Sequence, residues 1–201
     1  MEKSPRSRVL QIGARGRLFT SAEAGAKGVH TSVLTRMTRN GVIERVARGQ
    51  YRLTGAEMTR HHSLVLAATA VPDGVICLLS SLGFHDIGTQ LPSEVWIARG
   101  RGTWEPHIEY PRLRIVRFSG EALRAGIDEH RLEGRVVRIY SVAKTIADCF
   151  KFRNKIGLDV ALEALSDAWR RRRFRMEEIE RYARICRVSN VMRPYLEALV
   201  A

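Results

Sequence analysis

The chain has 201 residues, 45% of them hydrophobic and 27% charged, and a formal net charge of +13. It carries enough apolar residues to bury a core, and the positive excess points to a polyanionic partner: DNA, RNA or an anionic surface. No apolar run is long enough to span a bilayer. The opening "MEKSPRSRVLQIGARG" lacks the apolar stretch of a signal peptide. Cys77, Cys149 and Cys186 are far apart and form no CxxC. They are expected as reduced, buried thiols in a cytoplasmic protein.

The charge is unevenly placed. Residues 1–56 hold 11 Lys/Arg against 3 Asp/Glu, a net of +8, which leaves 23 against 18, or +5, for residues 57–201. A small basic module in front of a more ordinary domain is the natural division, with the boundary near residues 54–58.

In chain order, "SPRSRVLQIGARG" forms a first helix with Val9 and Ile12 as an apolar pair. Thr20-x-x-Glu23 is a capping box, in which side chain and backbone satisfy each other's orphan amides at a helix start. Gly25 and Gly28 keep that second helix to about two turns. "VHTSVLTRMTRN" is a third helix, with Val33, Leu34 and Met37 on one face and Asn40-Gly41 to stop it. "VIERV" and "QYRL" are short strands around "ARG", a three-residue hairpin loop in which Gly49 supplies positive φ. Helix, short helix, helix, hairpin is the order of a winged helix-turn-helix. On that plan the third helix enters the major groove, and Thr31, Ser32, Thr35, Arg36 and Arg39 face the bases. Arg45, Arg48 and Arg52 lie at phosphate height on the wing.

The rest of the chain is predicted as α+β, a sheet segment followed by helices. "AEMTRHHSLVLAATAV" is a helix closed by Pro72-Asp73-Gly74. "VICLLS" is expected as a buried strand and "SLGFHDIG" as a short helix or turn. "EVWIA", "HIEY" and "RLRIVRF" are further strands, and a hairpin turns at Glu133-Gly134. "SVAKTIADCFKF" is a helix capped by Ser141, with Val142, Ile146, Cys149 and Phe150 buried. The next helix carries Leu158, Ala161, Leu162, Leu165 and Trp169 on one stripe, and two more helices close the chain. Arg170 to Arg173 with Arg175 form the densest charge run. They suit a helix C-terminus or an acidic or nucleic-acid partner.

Catalytic patterns are missing. Glu94, Glu105 and Glu109 lie near strands without the following Asp/Glu-x-Lys of a metal-dependent nuclease. "ARGRGTWEP" has glycines but neither the lysine nor the helix of a phosphate loop. The histidines have no metal-ligand spacing, and no Ser or Cys stands in a nucleophile elbow. Trp96, Trp104, Phe118, Phe150 and Trp169 are expected as core. The chain is therefore expected to be no enzyme and to need no cofactor or metal.

Three segments carry a family resemblance. "GVIERVARGQYRL" (Gly41 to Leu53) resembles the wing of AbiEi-type antitoxins. "LLSSLGFHDIGTQLP" (Leu78 to Pro92) and "VVRIYSVAKTIADCFKFRNKIGLDVALEAL" (Val136 to Leu165) are similar to the later part of that family. The resemblance implies a type IV toxin–antitoxin system of the abortive-infection class, used in phage defence. In it, residues 1–56 bind inverted repeats in the operator DNA and repress the operon. Residues 57–201 neutralise a co-encoded AbiEii-type nucleotidyltransferase toxin. The wing residues Arg45, Arg48, Gly49, Tyr51 and Arg52 match the motif best. Lys144, Asp148, Lys151, Arg153 and Lys155 fall in the third segment. Lys144, Lys151, Arg153, Lys155, Arg171, Arg172 and Arg173 are candidates for the antitoxin or partner surface. The competing reading is a stand-alone winged-helix repressor whose second domain senses a ligand or partner.

Overall fold

The amino-terminal helix starts where Ser4 accepts a hydrogen bond from the Ser7 amide at 3.2 Å, with Pro5 in the first turn, a position that has no amide to lose. In the computed structural model, which describes residues 4–56, 59–102 and 108–200, the chain divides into two units. The first gathers residues 1–70, 107–111 and 130–137.

The first unit runs α1 (Pro5–Ile12), β1 (Phe19–Thr20), α2 (Ser21–Ala26), α3 (Thr31–Arg39), β2 (Ile43–Ala47), β3 (Gln50–Leu53) and α4 (His62–Ala70). The capping box is present: Thr20 Oγ1 accepts from the Glu23 amide at 3.1 Å, and Glu23 accepts from the Thr20 amide at 2.7 Å. Leu34 and Met37 of α3 are buried as expected, and Gly41, at φ 68, ends the helix. With Val9, Phe19, Ala24, Val29 and Ile43 they make the core. The three strands order β1-β3-β2, all antiparallel neighbours. This is a winged helix-turn-helix. The wing differs in one detail. Ala47 pairs with Gln50, so the loop is Arg48-Gly49, and the register shifts between Arg45 and Ala47. A bulge of this kind lets a short loop fit the strand twist.

Residues 130–137 complete this unit. They hold a tight turn with Glu133 at φ 47 and Gly134 at φ 71, the paired positive angles of a two-residue hairpin loop. The nearly buried Glu133 carboxylate accepts from the Thr59 amide at 2.9 Å, the Thr59 hydroxyl at 3.0 Å and His62 Nδ1 at 2.7 Å. Arg135 pairs with Glu23, which also holds Arg17 at 3.0 Å. A Cβ on Gly134 would lie 2.9 Å from Arg17 Cβ, too close for any larger residue.

The second unit carries β4 (Val75–Ile76), α5 (Leu78–His85), β5 (Val95–Gly100), β6 (Leu113–Phe118) and α6 (Glu121–Arg124). The hairpin strands β7 (Ile127–Leu132) and β8 (Arg135–Tyr140) follow, of which only residues 127–129 and 138–140 belong to this unit, then α7 (Val142–Lys151), α8 (Arg153–Ile156), α9 (Leu158–Arg170), α10 (Met176–Cys186) and α11 (Ser189–Val200). The sheet order is β6-β5-β4-β8-β7, with β5 and β6 parallel from Val95↔Leu113 to Gly100↔Phe118. Helix α7 is the hub: every residue from Val142 to Phe150 is buried, against α5, α9 and α10.

Several expectations change here. "VICLLS" is a strand only at Val75–Ile76; from Leu78 it is helix. A continuous apolar run does not separate a buried strand from a buried helix. Its one serine, Ser80, and the Ser81 that follows decide nothing by pattern, because both are satisfied inside: Ser81 donates to the Tyr140 carbonyl at 3.0 Å, and Ser80 accepts from the Trp96 amide at 2.9 Å. Residues 108–110 are not strand, while His107, Trp104 and Glu105 lie outside the described residues. Of the helix expected from Ala56, residues 57 and 58 lie outside the described residues, and the described part is helical from His62. The buried stripe of α9 is Val160, Ala161, Ala164, Leu165 and Ala168; Leu158 is exposed, and Leu162 and Trp169 are half-buried.

The Glu23 node generates a test. Burial opposes its ionisation, but the Thr20 amide, Arg135 and Arg17 hold its carboxyl below the usual range. Its contribution is thus complete at neutral pH and is lost as pH falls below about 4, through the depressed folded value. Glu23→Gln keeps the cap and removes the charge. It is expected to cost about 1 kcal/mol, given partial exposure, and the loss, measured by thermal melting, should shrink as pH falls through the depressed folded value.

Candidate nucleic-acid interface

Helix α3 presents Thr31, Ser32, Thr35, Arg36 and Arg39 to solvent while Leu34 and Met37 anchor its other face. Arg45 and Arg48 are exposed on the wing, and α3 passes into β2 through Gly41. No acid among the described residues pairs with Arg36, Arg39, Arg45 or Arg48, whereas Arg17 and Arg135 share Glu23. The uncompensated arginines of this unit therefore include all those that a winged helix turns to phosphate. Thr35 Oγ1 donates back to the Thr31 carbonyl at 3.2 Å, which leaves its oxygen as an acceptor.

Arg52 does not join them. Its side chain is 9% exposed and its Nε sits 2.5 Å from Glu44. Successive strand residues point to opposite faces, and Arg52 shares a buried face of β3 with Gln50, opposite the face on which Tyr51 and Leu53 pack against the core. The assignment of Arg52 to phosphate contact is corrected: it braces the wing by pairing with Glu44 across β2 and β3.

His30 was missed by pattern reading. It is the N-cap of α3, its Nδ1 accepting from the Ser32 amide at 3.3 Å and lying 2.9 Å from Ser32 Oγ. An acceptor Nδ1 leaves the proton on Nε2 in the neutral ring, so the exposed edge of His30 offers a donor at the helix end that meets base edges in this motif. Histidine is not among the residues that usually signal a cap, and no sequence cue marked it.

In the second unit Lys151 and Lys155 are exposed, and Lys155 Nζ lies 5.7 Å from the Phe152 ring centroid. Arg153 is half-buried and donates to the Phe150 carbonyl at 2.9 Å. Arg171, Arg172 and Arg173 are exposed; Arg171 is held by Asp167 at 3.1 Å and by the Asp86 carbonyl. Lys144 is no surface residue. It is fully buried, its Nζ 2.5 Å from Asp148, an equally buried i+4 partner. That Nζ also lies 4.0 Å from the Tyr140 ring centroid and 5.0 Å from that of Phe118. Asp148 further accepts from Cys186 Sγ at 3.2 Å. Burial pushes the Asp148 carboxyl up and the Lys144 ammonium opposes it. An i, i+4 acid–base pair normally reads as a solvated face; here α7 is covered all round, so the assignment of Lys144 to a partner surface is corrected.

The cysteines are free and buried. Burial, then the nearby Asp148, raises all three thiols, Cys186 to about 12. Such thiols are protonated at neutral pH and are poor nucleophiles.

Residues 7–54 match the family model described as "Transcriptional regulator, AbiEi antitoxin". The winged helix is AbiEi-like. The matched stretch runs from α1 through the wing and includes the exposed arginines of α3, so the family resemblance read from the wing motif holds over this module. No curated protein matches the chain. The fold is similar to the crystal structure of the RV2827C protein from Mycobacterium tuberculosis, with a TM-score of 0.58 and 13% identity. That alignment covers 90% of this chain and 72% of the other, so the likeness of architecture extends beyond the AbiEi-like residues into the α+β part.

The buried pair supplies a stability test. Lys144→Ala strands a buried carboxylate and is expected to cost about 3–5 kcal/mol, whereas replacing both partners by Met and Leu should recover most of that loss. Denaturant unfolding of the three proteins measures it; equal losses in the single and double variants would contradict the pairing.

Proposed function

We propose that this protein is a DNA-binding antitoxin and autorepressor. Residues 1–56 supply the operator-reading module, binding inverted repeats in its own promoter through α3 and the wing. Residues 57–201 supply neutralisation of a co-encoded nucleotidyltransferase toxin, in the manner of a type IV pair. The observation that carries the DNA-binding part is the row of exposed arginines without acid partners on α3 and the wing, inside the stretch that matches a regulator and antitoxin family. The antitoxin part rests on the same family match and on the family-like segments of the second unit. There Lys151, Arg153, Lys155, Arg171, Arg172 and Arg173 are the cations offered for partner contact. No helix among the described residues is long and apolar enough to cross a membrane.

The groove assignment makes distinct variants behave distinctly. Arg48→Ala removes a phosphate contact, so operator affinity falls for every sequence and the salt slope drops by about one unit. Arg36→Ala is expected to cost about 1–3 kcal/mol and to relax preference at one base pair. His30→Ser keeps a capping oxygen but loses the ring donor; it should melt as wild type does and still lose base discrimination. Fluorescence anisotropy with operator duplexes at several salt concentrations measures all three. Wild-type binding by Arg36→Ala and Arg48→Ala together would remove α3 and the wing from the interface.

Co-expression tests the antitoxin reading. The adjacent downstream gene is expected to arrest growth when expressed alone and to lose that effect beside the full-length protein. A harmless neighbour, or no rescue, leaves a winged-helix repressor with a sensing domain.

A further inference from the structure

Helix α9 ends in a cluster of cations that the winged helix does not explain. Residues 167–175 contain Arg170, Arg171, Arg172, Arg173 and Arg175 against the lone acid Asp167. Asp167 is already committed to three groups: Arg170 at 2.9 Å, Arg171 at 3.1 Å and the Gly88 amide at 3.2 Å. Arg172 and Arg173 have no acid partner among the described residues. A helix end needs one or two cations to answer its dipole, and Arg170 and Arg171 already supply them.

The backbone adds a second observation. Arg172 sits at φ 52, in the left-handed region where a helix C-terminus ordinarily has glycine. The turn closes through the Arg172 amide on the Trp169 carbonyl at 2.9 Å and the Arg173 amide on the Ala168 carbonyl at 2.9 Å. An arginine stands there at a small local cost, as Arg187 does at φ 59 at the end of α10, and the turn fixes where its side chain departs.

Beside this turn lies an open hollow of about 710 Å³, walled by Trp169, Phe174 and Met176 and rimmed by Arg170, Arg172, Arg175 and Glu177. Phe174 is buried and packs on Trp169 with ring centroids 5.8 Å apart, which holds the half-buried indole in place. A fixed aromatic wall beside several arginines and one carboxylate has mixed requirements. The arginines call for anions, the indole for a flat π-face, and Glu177 for a hydrogen-bond donor. A nucleotide unit meets all three with its phosphate, its base, and a base N–H or ribose hydroxyl. An acidic peptide meets the first, and its backbone amides can meet the third, but it brings no base to lie on the indole.

We propose that this hollow binds single-stranded nucleic acid, with one base against Trp169 and flanking phosphates on Arg170, Arg172 and Arg175. This goes beyond operator binding and does not depend on it. The test uses the full chain, with a 12-residue oligouridine as probe and an excess of random 24-base-pair duplex DNA to occupy the winged helix. The readout is the part of the tryptophan emission that Trp169→Phe removes. Oligouridine is expected to quench that component in the presence of the duplex. Arg172→Gly should melt at the same temperature as wild type or higher, since glycine suits the turn. It should bind oligouridine severalfold more weakly, with a salt slope smaller by about 0.7. Absence of quenching, or unchanged binding by Arg172→Gly, overturns the proposal. Equal quenching by polyglutamate would make this an acidic-polypeptide site instead. Equal affinity for uridine monophosphate would make it a free-nucleotide site. Operator binding is read separately with labelled duplex, so either function can fail while the other stands.

Discussion

Thirty-four lysines and arginines share twenty-one aspartates and glutamates, so at least thirteen cations cannot have an acid of their own. Where the scarce acids are placed decides what each part of the molecule can do. Glu23 goes to Arg17 and Arg135, Glu44 to Arg52, Asp148 to Lys144, and Asp167 to Arg170 and Arg171. All of these build or brace the fold. Among the described residues, Arg36, Arg39, Arg45, Arg48, Arg172 and Arg173 receive none. A bare surface cation repels its neighbours and gains little from water alone. Grouped on a recognition helix, a wing and a helix-end turn, such cations make sense as phosphate contacts.

The pairs differ in kind. Glu23 and its arginines are partly exposed, and their strength comes from one carboxylate accepting several donors at once. Lys144 and Asp148 are wholly desolvated, so their separation would be far more costly than their formation is favourable. Two aromatic rings and a thiol surround the latter pair, and an apolar helix would pack there without it. What it adds is a polar contact inside a core in which every residue from Val142 to Phe150 is buried.

The parts legible in sequence were those written by local chemistry. The capping box at Thr20, the glycine stops, the wing and the turn at Glu133-Gly134 follow from residues within four positions of each other. So does the apolar face of α3. What sequence concealed was tertiary. Nothing in "SVAKTIADCFKF" says that rings from β6 and β8 lie over Lys144 and that α10 packs on its helix. Nothing in "QYRL" says that Glu44 waits for Arg52 across the strand pair, although the two stand directly opposite in register. "VICLLS" failed because burial on all sides erases the periodicity that separates strand from helix. His30 failed because its capping role needs one ring nitrogen in one orientation, which composition does not encode.

The small winged helix is completed by chain from far downstream. A module of this length buries a modest core and is marginal on its own. Here Glu133 ties down Thr59 and His62, and Arg135 ties down Glu23, across sequence separations of 74, 71 and 112 residues. Closing such loops costs entropy that grows only slowly with length, so distant residues can brace a small module almost as cheaply as near ones. The consequence is that the helix start which orients α2 against α3 depends on a charge contributed from β8. The candidate DNA-reading surface is local in sequence, but its rigidity is not, and a fragment ending at the wing would keep every candidate base contact while losing the clasp that holds them in register.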